Sequence, residues 1–404
     1  MEPLRMPPTT HLALPFFDAV HRDLGQRLAA WMATQQVDES DDRKACREWV
    51  RRLGASQWLR YCVPAGEDGA LGGALATLDS RALVVMRETL AFYSPLADFA
   101  FAMQGLGSGA ITLAGTPAQQ AAYLPQVASG EMIAAFALSE ADAGSDAGAM
   151  QTRALPSGDG WTIHGSKTWI SNGGMADFYV TFAKTDPALG VRGITAFIVD
   201  ADTPGLDSSE HITVMAPHPL ATLRFSDCRL AANRQLGALH GGFRLAMQTL
   251  DIFRASVAGA AVGMARRALA EAVSFSKQRQ MFGQTLADFQ LTQAKIGDMA
   301  ALIDAAALLT YRAAWLRDES QRCGSSEQAE AAGRSERTVA AAMAKMTATE
   351  NAQRVIDMAL QLHGGMGVKV GSKIESLYRD IRSLRIYEGA TEVQQLIIGK
   401  AVLR

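Results

Sequence analysis

Cysteine is scarce in this 404-residue chain: Cys46, Cys62, Cys228 and Cys323 stand far apart, with no C-x-x-C pair among them. That spacing excludes a cysteine-built zinc or iron–sulfur site and a disulfide framework, and it fits a reducing compartment, so we expect a cytoplasmic protein. Excess charge of either sign is also missing. With 39 Lys and Arg against 41 Asp and Glu there is no basic field for a nucleic-acid backbone and no acidic arm, so no nucleic-acid partner is expected. The seven histidines show no H-E-x-x-H or comparable spacing; they read as surface or satisfied core residues, and no metal is expected. No apolar run approaches eighteen residues, and the start of the chain, with Pro3, Pro7 and Pro8, has no charged-then-apolar region. Neither a membrane span nor a secretory signal is therefore expected. Internal repeats and low-complexity tracts are lacking too.

What is present is enough apolar material, 48% of residues, for a large core divided into two or three domains. The period of the pattern changes twice. Val20, Leu24, Leu28 and Trp31 recur at helical spacing, and Ala- and Leu-rich segments continue it through Arg81 to Phe101. Between about Ile133 and Leu236 the period becomes two, with Trp161 and Ile163 alternating against Thr162 and His164, and Phe178, Val180 and Phe182 against Tyr179 and Thr181. After Gly241-Gly242 the helical period returns, with Val257, Ala261, Met264 and Ala268 on one face. Small residues from Ala258 to Gly263 would let helices approach closely. The stretch Asp318 to Arg337, with Gly324-Ser325-Ser326, reads as a connecting loop. These patterns predict an α+β chain, mainly α: an N-terminal helical domain over 1–131, a central antiparallel β domain over 132–240 and a C-terminal four-helix bundle over 241–404.

Two glycine-containing segments fail as phosphate-binding motifs. Gly165-Ser166-Lys167-Thr168 lacks the glycine that must precede lysine, and Gly364-Gly365-Met366-Gly367 follows a helical pattern and is not G-x-G-x-x-G. The segment Ala135 to Asp146 is different: an apolar strand enters a small-residue loop with hydroxyls at Ser139 and Ser145. Exposed amides and short donors of that kind suit the edge of a flat, hydrogen-bonding cofactor, although a simple turn has the same composition. Lys167 to Gly173 adds an aromatic plane at Trp169 and a hydroxyl at Ser171, the pieces needed to cover one face of an isoalloxazine and bond its edge. Near the C-terminus Glu388 lies in Arg385-Ile386-Tyr387-Glu388-Gly389-Ala390-Thr391-Glu392-Val393. Packed inward, Tyr387, Ile386, Val393 and Leu396 would strip water from that carboxylate and raise its pKa toward the range of a carbon base. The same letters also describe a solvated glutamate at a helix start.

Taken together, Leu138 to Asp146, Trp169-Ile170-Ser171-Asn172, Arg279-Gln280-Met281-Phe282-Gly283, Gln361 to Gly367 and Tyr387-Glu388-Gly389 resemble the acyl-CoA dehydrogenase family in order and spacing, across nearly the whole chain. The resemblance implies the three-domain fold of that family, FAD as cofactor, an acyl-CoA substrate and an electron-transfer flavoprotein as electron acceptor. It implies that Glu388 removes the pro-R α-hydrogen of an acyl thioester while hydride leaves the β-carbon, with the Glu388 N–H helping to polarise the thioester carbonyl. Some members carry their base on a bundle helix, at a position that is Phe253 here, which leaves Glu388 as the base.

By the same resemblance Phe136, Leu138, Ser139, Gly144 and Ser145 line the flavin, with Ser145 also toward substrate, and Trp169, Ile170 and Ser171 pack on the ring's other side. Arg279, Phe282, Gln290, Gln361, Gly364 and Gly365 match positions through which a neighbouring subunit clasps the dinucleotide, which implies a homotetramer or homodimer. Thr391 matches a hydroxyl near the pyrophosphate, and Asp251, Arg254, Tyr387 and Gly389 match the thioester and CoA path, an i, i+3 helix ion pair being the plain alternative for Asp251 and Arg254. Gly105, Gly107, Ser108 and Gly109 lie where the acyl pocket has its floor, or else mark close helix packing. Within the same fold, an acyl-CoA oxidase, a carrier-protein-linked dehydrogenase and a DNA-associated flavoprotein stay open as alternatives.

Overall fold

The structure, a computed structural model, describes residues 6–322 and 327–403. Cys323 and Gly324-Ser325-Ser326 lie outside the described residues. In chain order the elements are α1 (Ala19–Met32), α2 (Asp42–Ala55), α3 (Ser80–Tyr93), α4 (Pro95–Ala114) and α5 (Pro117–Ser129), followed by strands β1 (Ala134–Ala137), β2 (Arg153–Ser157), β3 (Gly160–Ser171), β4 (Phe178–Lys184), β5 (Ile194–Asp200), β6 (Leu206–Ile212), β7 (Leu220–Leu230) and β8 (Gln235–Leu236). Then come α6 (Gly242–Gln278), the small hairpin β9 (Gln280–Met281) and β10 (Gln284–Thr285), α7 (Gln290–Arg322), α8 (Glu327–His363), α9 (Lys373–Leu384) and α10 (Thr391–Val402). The mainly helical α+β class expected from the period changes is what the chain adopts. Helix α7 reaches Arg322 and α8 begins at Glu327, so most of the expected 318–337 loop is helical instead. Polar composition alone does not separate a helix end from a loop.

The chain divides into two compact units. A helical unit comprises Met1–Gln36, Ser80–Asp98 and Asp251–Arg404; a sheet unit comprises Val37–Asp79 and Phe99–Leu250. In the helical unit α7 and α8 run against each other, α3 packs on α1 and α7, and the short α9 and α10 pack on α8. The small residues of α6 act as expected. A Cβ at Gly263 would run into the backbone of Glu88 on α3, and one at Gly259 would come within 2.9 Å of the Val84 carbonyl. Helix α1 buries Leu24 and Leu28 together with His21, Gly25, Ala29 and Met32, while Val20 stays exposed. Helix α7 meets the length and composition of a membrane span over Gln290–Gln321, contrary to the absence of apolar runs noted above. It nevertheless carries Lys295, Asp298, Asp304 and Arg312 and packs as a bundle helix.

In the sheet unit the strand order is β6-β7-β3-β2-β4-β5-β8, with β1 beside β4. Most neighbours are antiparallel; β1 and one residue pair of β2 meet β4 in parallel. Gly107 on α4 sits against β1, where a Cβ would come within 2.6 Å of Ala134. At this position, therefore, the glycine permits close helix-to-strand packing. Cys46, Cys62 and Cys228 are buried and form no disulfide among the described residues.

Candidate functional site

The C-terminal candidate is built by two helices and the turn between them. Helix α9 buries Ile374, Leu377, Ile381 and Leu384 at spacings of three and four, and starts at the Ser372 side chain, which accepts from the Glu375 N–H. The chain then turns through 385–390, and the Thr391 N–H donates to the Arg385 carbonyl at 3.1 Å, closing the turn. Glu350 on α8 clamps both ends: its Oε1 accepts from Arg385 Nε at 2.8 Å and from the Thr391 hydroxyl at 2.6 Å. Thr391, expected beside a pyrophosphate, thus spends its hydroxyl proton on the turn itself.

Within that turn Glu388 has φ of 53° and Gly389 has φ of 93°. A left-handed glutamate costs about 1–2 kcal/mol, and such strain concentrates at functional sites. Three donors hold the carbonyls of the two residues. Lys345 Nζ donates to the Gly389 carbonyl at 2.6 Å, Gln394 Nε2 to the same oxygen at 3.0 Å, and Arg254 Nε to the Glu388 carbonyl at 3.4 Å. The Glu388 N–H has no acceptor among the described residues, so it stays available to an external carbonyl. A Cβ at Gly389 would overlap the Gln394 amide. Gly389→Ala is therefore expected to distort the turn and lower the rate of the base-dependent step about tenfold, given 1–2 kcal/mol of added strain, as read by single-turnover stopped-flow.

The carboxylate of Glu388 is desolvated. The residue as a whole is half-buried, but its Oε2 is sealed from solvent and has no partner among the described residues. Burial raises its pKa above the ordinary carboxylate value, against the opposing pull of Arg87, Lys345 and Arg254. The source of that burial differs from the sequence expectation. Ile386 and Leu396 are 58% and 60% exposed, whereas Tyr387 and Val393 are half-buried. α10 presents Leu396 outward because its inward turn is taken by Gln394, which is fully buried and reaches back to Gly389.

Beneath the turn lies a buried polar network. Arg87 on α3 holds Asp98 of α4 through two bonds of 2.8 and 2.9 Å and donates to Ser256 Oγ on α6 at 3.1 Å. It also hydrogen-bonds the Tyr387 hydroxyl, whose pKa burial pushes upward. Arg254 pairs with Asp251, which also accepts from the Thr338 hydroxyl at 3.1 Å. The i, i+3 ion pair is therefore real, and Arg254 additionally reaches the Glu388 carbonyl.

The sheet unit carries the second set of candidates. The loop after β1 folds into a tight turn in which Glu140 and Ala143 exchange backbone bonds of 3.2 Å. Glu140 anchors it from beneath, accepting from the Gln151 and Thr152 N–H groups at 2.6 and 3.0 Å and from Lys167 Nζ at 2.8 Å. Lys167 Nζ also donates to the Leu138 carbonyl at 3.0 Å, so the lysine of the failed phosphate motif is structural. Burial lowers its pKa to about 8. Beside it β3 has a register shift against β7 between Lys167 and Ile170, and Trp169 takes φ of 59°. This bulge turns the indole outward, 58% exposed, while Ile170 stays buried. The Thr168 N–H donates to the Ser139 carbonyl at 3.0 Å, bringing loop and strand together.

Phe136 is half-buried against Phe182, Ser139 and Ser171 are half-buried, and Gly144 and Ser145 are exposed, with open space around Gly144. Leu138 and Ile170 point into the core, so any contact they make with a ligand is through backbone. Ser171 Oγ meets His218 Nε2 at 3.0 Å. Burial holds that imidazole down to about 3, and the sequence alone offered no sign of it. An exposed indole, hydroxyls and an open glycine loop suit a flat ring system with polar edges.

The third group, Arg279, Phe282, Gln290, Gln361, Gly364 and Gly365, is exposed. Phe275 stacks on His363 with ring centroids 4.4 Å apart, which joins the C-terminal ends of α6 and α8 and places these residues at one end of the bundle. That end is far from Glu388 within its own chain. Arg279 lies about 37 Å along α6 from Arg254, and Gln361 about 24 Å along α8 from Lys345, at 1.5 Å per residue.

Comparison with known proteins follows the same lines. The chain matches the family profiles described as "Acyl-CoA dehydrogenase, N-terminal domain" over residues 18–131, "middle domain" over 135–228 and "C-terminal domain" over 240–403. The Caffeyl-CoA reductase-Etf complex subunit CarC of Acetobacterium woodii is 37% identical over 95% of this chain and 96% of its own. The butyryl-CoA dehydrogenase structure from Megasphaera elsdenii superposes with a TM-score of 0.85 at 32% identity, covering 96% of this chain and 99% of that one. An acyl-CoA dehydrogenase complexed with FAD, from Bacillus anthracis, gives a TM-score of 0.87 at 29% identity, with 96% and 67% covered.

Proposed function

This chain belongs to the acyl-CoA dehydrogenase family, and from that premise we propose that it interconverts an acyl-CoA and its trans-2-enoyl-CoA with Glu388 as the base. It is an oxidoreductase acting on CH–CH groups, and its cofactor is FAD, as in the structural neighbour complexed with it. Bound FAD supplies the hydride acceptor. The chain's own contribution is at the α-carbon: a carboxylate sealed at Oε2, raised in pKa and held in a strained turn accepts the proton. The Glu388 N–H, free of any acceptor among the described residues, donates to the thioester carbonyl oxygen and thereby acidifies the α-proton. That pairing of a sealed side chain with an open backbone donor on one residue is the observation that carries the reading.

Electron exchange with an electron-transfer flavoprotein is supported by the relative named as part of an Etf complex. The same name supports net reduction of an aryl-conjugated enoyl-CoA as the physiological direction, which the same base serves in reverse. A cytoplasmic homotetramer is proposed on cysteine usage and on the exposed residues around Arg279 and Gln361, which within one chain lie a bundle's length from Glu388. The test is an anaerobic titration of the yellow holoenzyme with straight, branched and 3-arylpropanoyl-CoA thioesters. Bleaching of the flavin by at least one of them is expected, and reoxidation by flavoprotein rather than by oxygen separates dehydrogenase from oxidase. Absence of bleaching with every thioester, and absence of reoxidation of the reduced enzyme by enoyl-CoA, would overturn the proposal.

A further inference from the structure

Lys345 is the buried cation that the reaction scheme leaves unused. It lies on α8 with no measurable exposure, and its ammonium makes one hydrogen bond among the described residues, to the Gly389 carbonyl at 2.6 Å. A fully buried ammonium facing a single neutral acceptor is costly. Two other cations bear on the Glu388 carboxylate. Arg87 is matched by Asp98 in a two-bond ion pair, and Arg254 is matched by Asp251. Glu350, five residues along α8 from Lys345, is engaged by Arg385. Of the three cations, then, Lys345 alone has no hydrogen-bonded carboxylate among the described residues.

We propose that Lys345 is a positioning residue for the base, pinning the strained turn through the Gly389 carbonyl and supplying the unmatched positive charge that keeps the Glu388 carboxylate ionised. The two functions come from one atom because the Gly389 carbonyl follows Glu388 directly in the chain. The groups facing Lys345 are Glu388 and Glu392 from the turn and α10, Arg254 from α6 and Glu350 from its own helix. Those facing Glu388 are Arg87, Lys345, Arg254 and Asp98. Burial holds Lys345 down to about 8, with Glu388 the largest influence in the other direction. The coupling is mutual: an ionised Glu388 supports the ammonium, and the ammonium supports the carboxylate.

This inference rests on Glu388 being the base, and the test separates the two. Lys345→Gln keeps a donor for the Gly389 carbonyl but removes the charge; Lys345→Met removes both. In each holoenzyme the ionisation of Glu388 is followed by infrared difference spectroscopy, using the carboxyl band that disappears in Glu388→Gln, and the pH profile of kcat/KM is recorded beside it. Loss of a neighbouring charge is expected to raise the Glu388 midpoint by roughly one pH unit, a tenfold change in its ionisation. The acid limb of the profile moves up with it in both variants. The plateau rate is expected to fall in both, further in Lys345→Met than in Lys345→Gln. An infrared midpoint unchanged in Lys345→Gln would overturn the proposal, and that readout needs no turnover. Failure of wild-type bleaching would overturn the functional reading instead and leave this midpoint measurable.

Discussion

Glu388→Gln is expected to keep its flavin and lose bleaching by acyl-CoA, with the rate of flavin reduction down about 10²–10⁴-fold, the usual worth of a general base. Glutamine fills the same space and leaves the backbone N–H in place, so what is removed is the proton acceptor alone. The sign of the pH dependence follows from burial. The folded carboxyl titrates above the ordinary carboxylate range and works only when ionised, so activity falls as pH drops through that raised value. The same shift means that the folded state takes up a proton more readily than the unfolded chain. Between the ordinary and the raised pKa, stability therefore declines as pH rises, and an ionised Glu388 at neutral pH works against folding. Glu388→Gln is thus expected to melt at a higher temperature than wild type at neutral pH, a stability gain at the expense of function. Full-rate bleaching by the variant in stopped-flow would remove Glu388 from its role; a lowered melting temperature would show that its charge is not held under strain.

The largest loss of stability is expected from Asp98→Ala. Arg87 and Asp98 are 1% and 3% exposed at the side chain, and removal of the acid leaves a guanidinium buried with, among the described residues, Ser256 and Tyr387 for partners. Breaking one side of such a pair typically costs about 3–5 kcal/mol, whereas replacing both sides with apolar groups of similar size can be neutral or better. Differential scanning calorimetry should therefore show a large fall in melting temperature for Asp98→Ala and substantial recovery in the double variant Arg87→Met/Asp98→Leu. If the double variant recovers stability but not turnover, the network serves the site through the Arg87 charge on Glu388 or its bond to Tyr387 and not through stability. Equal losses in the single and double variants would mean that local packing, and not the unpaired charge, carries the cost.

Much of this protein was legible along the chain. The candidate base Glu388, the aromatic and hydroxyl strand at Trp169 and Ser171, and the loop from Leu138 to Asp146 stand in short contiguous motifs. Helices and strands were legible because burial imposes periods of 3.6 and 2 on the residues that form them. The reading of what surrounds Glu388 went astray where neighbours in sequence were taken for neighbours in space. Ile386 and Leu396 sit within eight residues of Glu388 yet are exposed, and its carboxyl is set by burial together with the charges of Arg87, Lys345 and Arg254, on three separate helices. His218, against Ser171, was invisible for the same reason.

The sequence by itself determined the family and the alternation of helical and sheet segments, and it singled out Glu388 as the proposed base, because each is written in residues close together in the chain. Only the tertiary structure decided that Glu388 is sealed and unpartnered at Oε2, that Glu350 and Lys345 hold its turn, and that two of the three cations around it are already matched by acids. The physical reason is that desolvation and Coulomb interaction depend on distance in space, and those distances are set by how α3, α6 and α8 pack, which no local pattern encodes.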